Sequence, residues 1–335
     1  MQTFAQPFGQ TLSSRIQRHC AVSIAGLATG YLADRLFGDP AKHHPVAMFG
    51  TAATSLIDRM YADSRSRGVL FATIAVGLPT VATAALSRTS PVVHYAALSA
   101  TTWAALGGTT LATTGERMAN RVESGDLESS RELVPWLCSR DPQQLDLAGA
   151  SRATVESLAE NTSDAVTGTL LWGAVCGAPG VVLHRCANTL DAMVGYRTEK
   201  WNNFGWASAI FDDAVNYLPA RWTGLATVLS GPNRREAIAA WRRDAGKHPS
   251  PNAGIPEATA AAALGVTIGG RTEYFGGVED RPTMGQGPAP RVADVRRAVA
   301  LTKKVQDISL GLVLGGLAVS MTLASTGKRN GEAGR

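Results

Sequence analysis

Acids and amides recur at helical spacing across residues 160–221, in sequence otherwise apolar enough to cross a membrane. The stretch reads Glu160-Asn161-Thr162-Ser163-Asp164, then uncharged residues to 183, then Asn188-Thr189-Leu190-Asp191, and then Asp212-Asp213-Ala214-Val215-Asn216 with Pro219-Ala220-Arg221. On a helix, residues three or four apart share a face, so Glu160 and Asn161 lie over Asp164, Asn188 over Asp191, and Asn216 over Asp212 and Asp213. Each cluster therefore sets an acid beside an amide. A carboxylate buried in an apolar span costs about 2.5 to 3.5 kcal/mol on insertion scales, so several of them imply a polar cavity with a chemical task. The bland alternative is helix capping and interhelical hydrogen bonding. It accounts for Asn161 and Thr162 as readily as a site does, but it does not require two adjacent charges at Asp212 and Asp213 in mid-span.

Two loops carry complementary groups. The first, Asp34-Arg35-Leu36-Phe37-Gly38-Asp39-Pro40 with Lys42-His43-His44-Pro45-Val46, is broken by two prolines and a glycine into a polar segment beside the first apolar stretch. His43 and His44 read first as loop residues, although His44 before Pro45 suits acid/base work or donation to phosphate. The second loop, Lys247-His248-Pro249-Ser250-Pro251-Asn252-Ala253-Gly254-Ile255-Pro256-Glu257, enters a short Ala-rich helix. Pro256 suits a first helical turn, whose free N–H groups can hold an anion, and Lys247 with His248 fits a solvated basic turn or a phosphate contact equally well. The sequence has no phosphate-binding glycine loop, no dinucleotide fingerprint, no zinc-protease helix and no nucleophile elbow. Acids and amides with a few cations suit Mg²⁺, which takes one or two carboxylates and fills its shell with phosphate oxygens and water; the histidines lack zinc spacing.

The elements that must position these groups are apolar helices. Among 335 residues, 45% are hydrophobic and only 18% charged, and the net charge of +5 suits anionic headgroups or nucleotides. The basic residues are scattered without interleaved aromatics, which argues against nucleic acid as a partner. Cys20, Cys138, Cys176 and Cys186 form no close pair and read as buried small side chains. Residues 1–18 read as a loose polar end. A retained first span follows over 19–37 with Gly26-x-x-x-Gly30, then a hairpin of spans over 69–87 and 90–114, and a polar helical excursion over 116–159 with helix starts at Asp126 and Asp141. Residues 165–183 and 207–229 read as further spans or buried helices, with tryptophans over 201–206 at headgroup level. A polar region over 230–304 holds tight turns at Gly269-Gly270 and Tyr274-Phe275-Gly276-Gly277 and a linker over 281–290, and a last span covers 308–325. The expectation is one all-α, polytopic membrane domain with roughly five or six embedded helices.

These stretches, in order over residues 31–277, resemble the CobD/CbiB family of cobalamin biosynthesis, the membrane-embedded adenosylcobinamide-phosphate (cobinamide) synthases. The resemblance is carried by the Asp34–Pro40 and His44-Pro45-Val46 loop, the Glu160–Asp164 cluster, Asn188–Asp191 with Gly195-Tyr196, Phe204-Gly205-Trp206-Ala207, Asp212-Asp213 with Asn216 and Pro219-Ala220-Arg221, and Ser250-Pro251-Asn252-Ala253-Gly254. Ile210 stands where the family has an arginine, and Gly168-Thr169 replaces an Ala-Pro, so no arginine role carries over at 210. The resemblance implies a cell-membrane ligase that joins the corrin carboxylate of adenosylcobyric acid to (R)-1-amino-2-propanol or its phosphate at the expense of ATP. Under it, Glu160, His44, Asp212, Asp213 and Lys247 are expected to be catalytic. Asp34, Asp39, Asn161, Asn188, Asn216, Arg221, His248, Ser250, Asn252 and Glu257 are expected to bind substrate, and Asp164, Asp191, Asp212 and Asp213 to hold Mg²⁺. Two other classes fit mid-membrane acids: a secondary transporter, which usually shows the inverted repeats that this sequence lacks, and a noncatalytic scaffold, which leaves the Ser250–Gly254 loop without a purpose.

Overall fold

The computed structural model describes residues 6–40, 42–274 and 277–333. In order, the helices are α1 (Gln6–Phe37), α2 (Pro45–Met60), α3 (Arg65–Ser87), α4 (Pro91–Leu106), α5 (Gly108–Glu123), α6 (Leu127–Leu133), α7 (Leu147–Asn161), α8 (Gly168–Cys176), α9 (Ala178–Val194), α10 (Trp206–Val215), α11 (Tyr217–Ser230), α12 (Arg234–Asp244), α13 (Gly254–Leu264) and α14 (Val292–Ala333). Strands β1 (Ile268–Tyr274) and β2 (Gly277–Met284) pair antiparallel between α13 and α14. The chain is thus helical apart from one hairpin. It divides into two units: Met1–Leu106 with Thr169–Trp206 and Leu310–Arg335, and Gly107–Gly168 with Ala207–Ser309.

In the first unit α1 lies along α4, and α9 packs on α3, α4 and α2. Small residues permit the α1–α4 approach: a Cβ on Gly26 would stand 2.8 Å from Leu98 Cδ2, and one on Gly30 would stand 2.5 Å from Thr102 Cβ. Two helices are long and apolar enough to cross a membrane, α3 and the part of α14 over Val292–Thr326. Only 17% and 11% of their most apolar windows are buried, as befits lipid-facing helices and not the core helix of a soluble domain. At the start of α3, Tyr61, Phe71, Trp201 and Phe204 form an aromatic cluster, with Lys200 over Trp201 at 4.3 Å and Arg65 over Trp206 at 5.2 Å.

In the second unit α13 is the central element. Every residue from Gly254 to Leu264 is buried, against α7, α11, α12 and β2, and Gly265 caps the helix in the left-handed region at φ 70°. Alanines let these neighbours approach closely, while Glu257 and Thr259 place polar groups inside the packing. Asp126 and Asp146 cap α6 and α7 through their side chains.

Several expectations are corrected. Helix α1 starts at Gln6, so most of the stretch read as a loose end is helical. The apolar run over 90–114 is two helices, because Gly107 takes φ 57° and turns the chain between α4 and α5. The run over 165–183 begins in a π-helical segment, Thr162–Thr167, and breaks again at Gly177 before α9. The run over 207–229 is divided at Asn216 into α10 and α11, so Asp212 and Asp213 lie in the last turn of the short helix α10. Gly269 and Gly270 belong to β1, and the first part of the expected linker over 281–290 is strand. Phe275 and Gly276 of the expected tight turn lie outside the described residues.

Candidate active site

The second unit builds a polar site around the entry to α13. Two prolines leave the 248–253 loop few conformations, and side chains fix the rest. Ser250 Oγ accepts from the amides of Asn252 at 3.2 Å and Ala253 at 3.3 Å, and His248 Nδ1 accepts from the Ser250 amide at 3.0 Å. With Nδ1 occupied as an acceptor, the neutral ring carries its proton on Nε2. That atom faces Glu257 Oε1 at 3.8 Å, and neither atom has a hydrogen-bond partner among the described residues. Both side chains are buried, 3% and 1% exposed.

The same loop ties down the acid–amide face of α10 and α11. Asn252 Nδ2 donates to the Asp213 carbonyl at 2.9 Å and leans on its Oδ1 at 3.4 Å, while Asn252 Oδ1 accepts from Arg221 Nη1 at 3.0 Å. Arg221 stacks on the Tyr217 ring, 3.4 Å from its centroid. Asn216 Nδ2 donates to Asp212 Oδ1 at 2.8 Å, the i, i+4 pairing that the spacing predicts. The structure thus brings together Asp213, Arg221, Asn252 and Ser250 in one set and Asp212 with Asn216 beside it in sequence. Lys247 is turned elsewhere: its Nζ donates at 2.9 Å to Asp244, a buried carboxylate that also receives Arg243 and the Gly285 amide. Burial pushes Asp244 up, but these three donors outweigh it and hold the carboxyl below its ordinary range.

From α7 come Glu156, which is buried, and Glu160, which is half-buried. Arg140 donates to Glu156 Oε2, and the Gly269 amide donates to Glu156 Oε1 at 2.8 Å, so the β-hairpin closes over this acid. Burial pushes Glu160 up against the pull of Arg281. Glu257 is raised well above the carboxylate range by burial and then by the charges of Glu160 and Glu156, with Arg281 and Arg140 opposing. Burial and the Arg281 guanidinium lower His248 to about 4. Helix α7 passes directly into the π segment, so the regular spacing that would set Glu160 over Asp164 does not continue through 162–167. Asn161 spends its amide on the carbonyls of Leu137 at 3.2 Å and Ser157 at 3.0 Å and on the Ser157 hydroxyl at 2.7 Å, which makes it a tie between α7 and the 137–140 loop.

The first unit carries its own set. His44 caps α2, its Nδ1 accepting from the Val46 amide at 3.2 Å, and its Nε2 stands 3.9 Å from Asp39 Oδ1. Asp34 is buried near the end of α1. Asn188 Oδ1 accepts from Arg185 Nη1 at 3.3 Å on α9, and Asp191 lies on the last turn of that helix, its carbonyl accepting from the Gly195 amide at 2.7 Å. Arg185 also lines a largely apolar cavity of about 220 Å³ with Val46, Phe49 and Val182.

Among the described residues no three of His, Cys, Asp and Glu converge as metal ligands. An all-protein cage is therefore not what Asp164, Asp191, Asp212 and Asp213 form. The adjacent pair Asp212 and Asp213 still fits Mg²⁺, which needs only one or two carboxylates when phosphate oxygens complete its shell.

Sequence reading missed Glu156, Arg140, Arg281 and Asp244. Glu156 gave one usable signal, an acid four residues before Glu160 on the same face of α7. Arg140 and Arg281 gave none, since they reach Glu156 and its neighbours only through the folding of a loop and a hairpin.

The profile of the family described as CobD/Cbib protein matches residues 27–302. A protein from Mycobacterium tuberculosis (strain CDC 1551 / Oshkosh) named cobalamin biosynthesis protein CobD is 48% identical over 286 residues, 84% of this chain and 91% of that one. A Chromobacterium violaceum protein of the same name is 42% identical over 287 residues, 83% of this chain and 91% of that one. The chain belongs to the CobD/CbiB family. No solved structure matches it.

Proposed function

We propose that the chain acts in cobalamin biosynthesis as a multi-pass protein of the cell membrane, with five or six embedded helices. Its reaction is ATP-dependent amide formation between the corrin carboxylate of adenosylcobyric acid and (R)-1-amino-2-propanol or its phosphate. The observation that carries this reading is the Ser250–Asn252 loop locked onto Asp213 and Arg221, beside a buried glutamate cluster in the same unit.

Making an amide from a carboxylate requires an activated acyl group, and phosphoryl transfer from ATP to that carboxylate supplies one. Mg²⁺, when bound, neutralises phosphate charge. Asp212 and Asp213, with Asp164 and Asp191 as further candidates, are the side chains to hold it. Arg221 presents a fixed guanidinium for the transferred phosphoryl group, its planar fork oriented by Asn252 and by the Tyr217 ring. Lys247 and His248 are further contacts for phosphate; Lys247 does so from its place on Asp244. Asn188, Asn216 and Asn252 offer amides to substrate oxygens, and Asp34 and Asp39 contact substrate. Glu160, half-buried and raised, takes the proton that the ammonium must lose before it attacks, with His44 as the other candidate base.

The test is purified protein given adenosylcobyric acid, free or phosphorylated aminopropanol, and Mg-ATP. Amide product with stoichiometric ADP supports the ligase and identifies the amine; absence of both, with counterflow of a corrinoid in proteoliposomes, supports a transporter instead.

A further inference from the structure

Helix α9 carries a guanidinium into apolar surroundings in the first unit, away from the acids and amides of the second. Four helices wall the cavity of about 220 Å³ there: Val46 and Phe49 come from α2, Pro79 from α3, Thr101 from α4, and Val182 and Arg185 from α9. Its hydroxyls have no proton to spare. Thr83 donates to the Pro79 carbonyl at 2.7 Å, Thr101 to that of Ala97 at 2.8 Å and Thr189 to that of Arg185 at 2.8 Å. Arg185, half-buried, supplies the strong donors: Nη1 donates to Asn188 Oδ1 at 3.3 Å, and a guanidinium has five N–H groups in a fork that matches a phosphate. No acid is among the described residues that line the cavity. It therefore suits a molecule with an apolar body and one anionic group, and offers nothing to an ammonium such as that of aminopropanol phosphate.

The surrounding elements narrow the choice of molecule. Helix α3, which supplies one wall, faces lipid elsewhere on its surface, with Leu78 beside Pro79 68% exposed and Val81 67% exposed. Pro45 and Val46, at the start of α2, bring the end of the polar 38–46 loop to the cavity. Trp103 on α4 donates its indole N–H to the Gly38 carbonyl at 2.9 Å and ties the other end of that loop close to Thr101. A polar loop and an indole N–H beside a lipid-facing helix is the arrangement expected at headgroup depth, and a charged side chain among membrane helices is costly unless an opposite charge meets it. We propose that the cavity binds one anionic phospholipid, its phosphate on Arg185 and the upper part of one acyl chain against Val46, Phe49 and Val182. The proposal rests on the membrane reading given above and is independent of the ligase chemistry.

The experiment is native mass spectrometry of the purified full chain, stripped of lipid in detergent and titrated with phosphatidylglycerol and, separately, with phosphatidylcholine. Wild type should take up one phosphatidylglycerol about tenfold or more tightly than phosphatidylcholine. Arg185→Gln should erase that preference, and Arg185→Lys, which keeps the charge, should retain most of it. Val182→Trp fills the cavity without removing the charge and should weaken the first phosphatidylglycerol by about tenfold or more. Equal uptake of the two lipids by wild type, or phosphatidylglycerol binding unchanged in Arg185→Gln or in Val182→Trp, overturns the proposal. Displacement of the lipid by inorganic phosphate or by aminopropanol phosphate overturns it too, and assigns the cavity to a free phosphate. Carbonate extraction of membranes separates this proposal from the reading beneath it: a chain released by carbonate brings down the membrane reading, whereas a retained chain with no lipid preference brings down the proposal alone.

Discussion

His248 is held neutral where a histidine in water would be charged, and this gives a measurable stability signature. Its side chain is 3% exposed, its Nδ1 is occupied by the Ser250 amide, and burial with the Arg281 charge lowers its pKa from the ordinary 6.5 to about 4. As pH falls below 6.5 the unfolded chain takes up a proton that the folded chain refuses until about 4. The unfolded state therefore binds more protons in that window, and stability drops as pH drops through it. At about 1.4 kcal/mol per unit, the loss attributable to this one ring is on the order of 3 kcal/mol. His248→Asn keeps an acceptor near the Ser250 amide and removes the titration. Chemical unfolding of both proteins in detergent at intervals from pH 7 to pH 4 isolates the ring, because the carboxyls titrate in both and drop out of the difference. The wild-type curve should fall about 3 kcal/mol further than that of the variant across this range. Parallel curves would refute a buried neutral imidazole.

Other outcomes follow from the same contacts. Asp213→Asn keeps the backbone carbonyl that Asn252 grips and should insert normally, yet lose amide formation by about 100-fold or more, read as product per inserted protein. Arg281→Met removes a guanidinium that opposes burial at Glu160 and Glu257 and should destabilise the second unit by about 1 to 3 kcal/mol at neutral pH, measured by the same unfolding. Gly30→Val sets a branched side chain where a Cβ already stands 2.5 Å from Thr102 Cβ, and should destabilise the first unit by about 1 to 3 kcal/mol, visible as faster proteolysis of its loops.

What the sequence disclosed and what it hid divide along the range of the interactions. The Asp212–Asn216 pairing, the short Ala-rich helix with Pro256 in its first turn and the cap at Asp126 all depend on neighbours within a few residues, and all are present; the Gly26 and Gly30 spacing was legible too, but the helix it admits, α4, was not. The break at Gly107 is invisible to hydropathy, because the residues on either side stay apolar while the backbone turns, and the division at Asn216 is invisible because that residue keeps right-handed helical dihedrals. The π segment after Asn161 leaves no mark in composition, yet it ends the spacing on which the Glu160–Asp164 pairing depended. The β-hairpin was obscured by Gly269, Gly270 and Pro282, residues that ordinarily disrupt strands; a register shift between Ile268 and Gly270 accommodates the glycines. Arg281 and Arg140 reach the glutamates only through that hairpin and the 137–140 loop, and pairings over such separations have no period to read.

The central claim is that the carboxylate is activated by direct phosphoryl transfer before the amine attacks. It is tested most directly with adenosylcobyric acid labelled with ¹⁸O in the reacting carboxylate, followed through one turnover with Mg-ATP and aminopropanol. One labelled oxygen should leave with the inorganic phosphate, because the acyl–phosphate bond breaks on the carbonyl side when the amine enters. Amide formed with no label in phosphate, or with the label in AMP, would contradict the account.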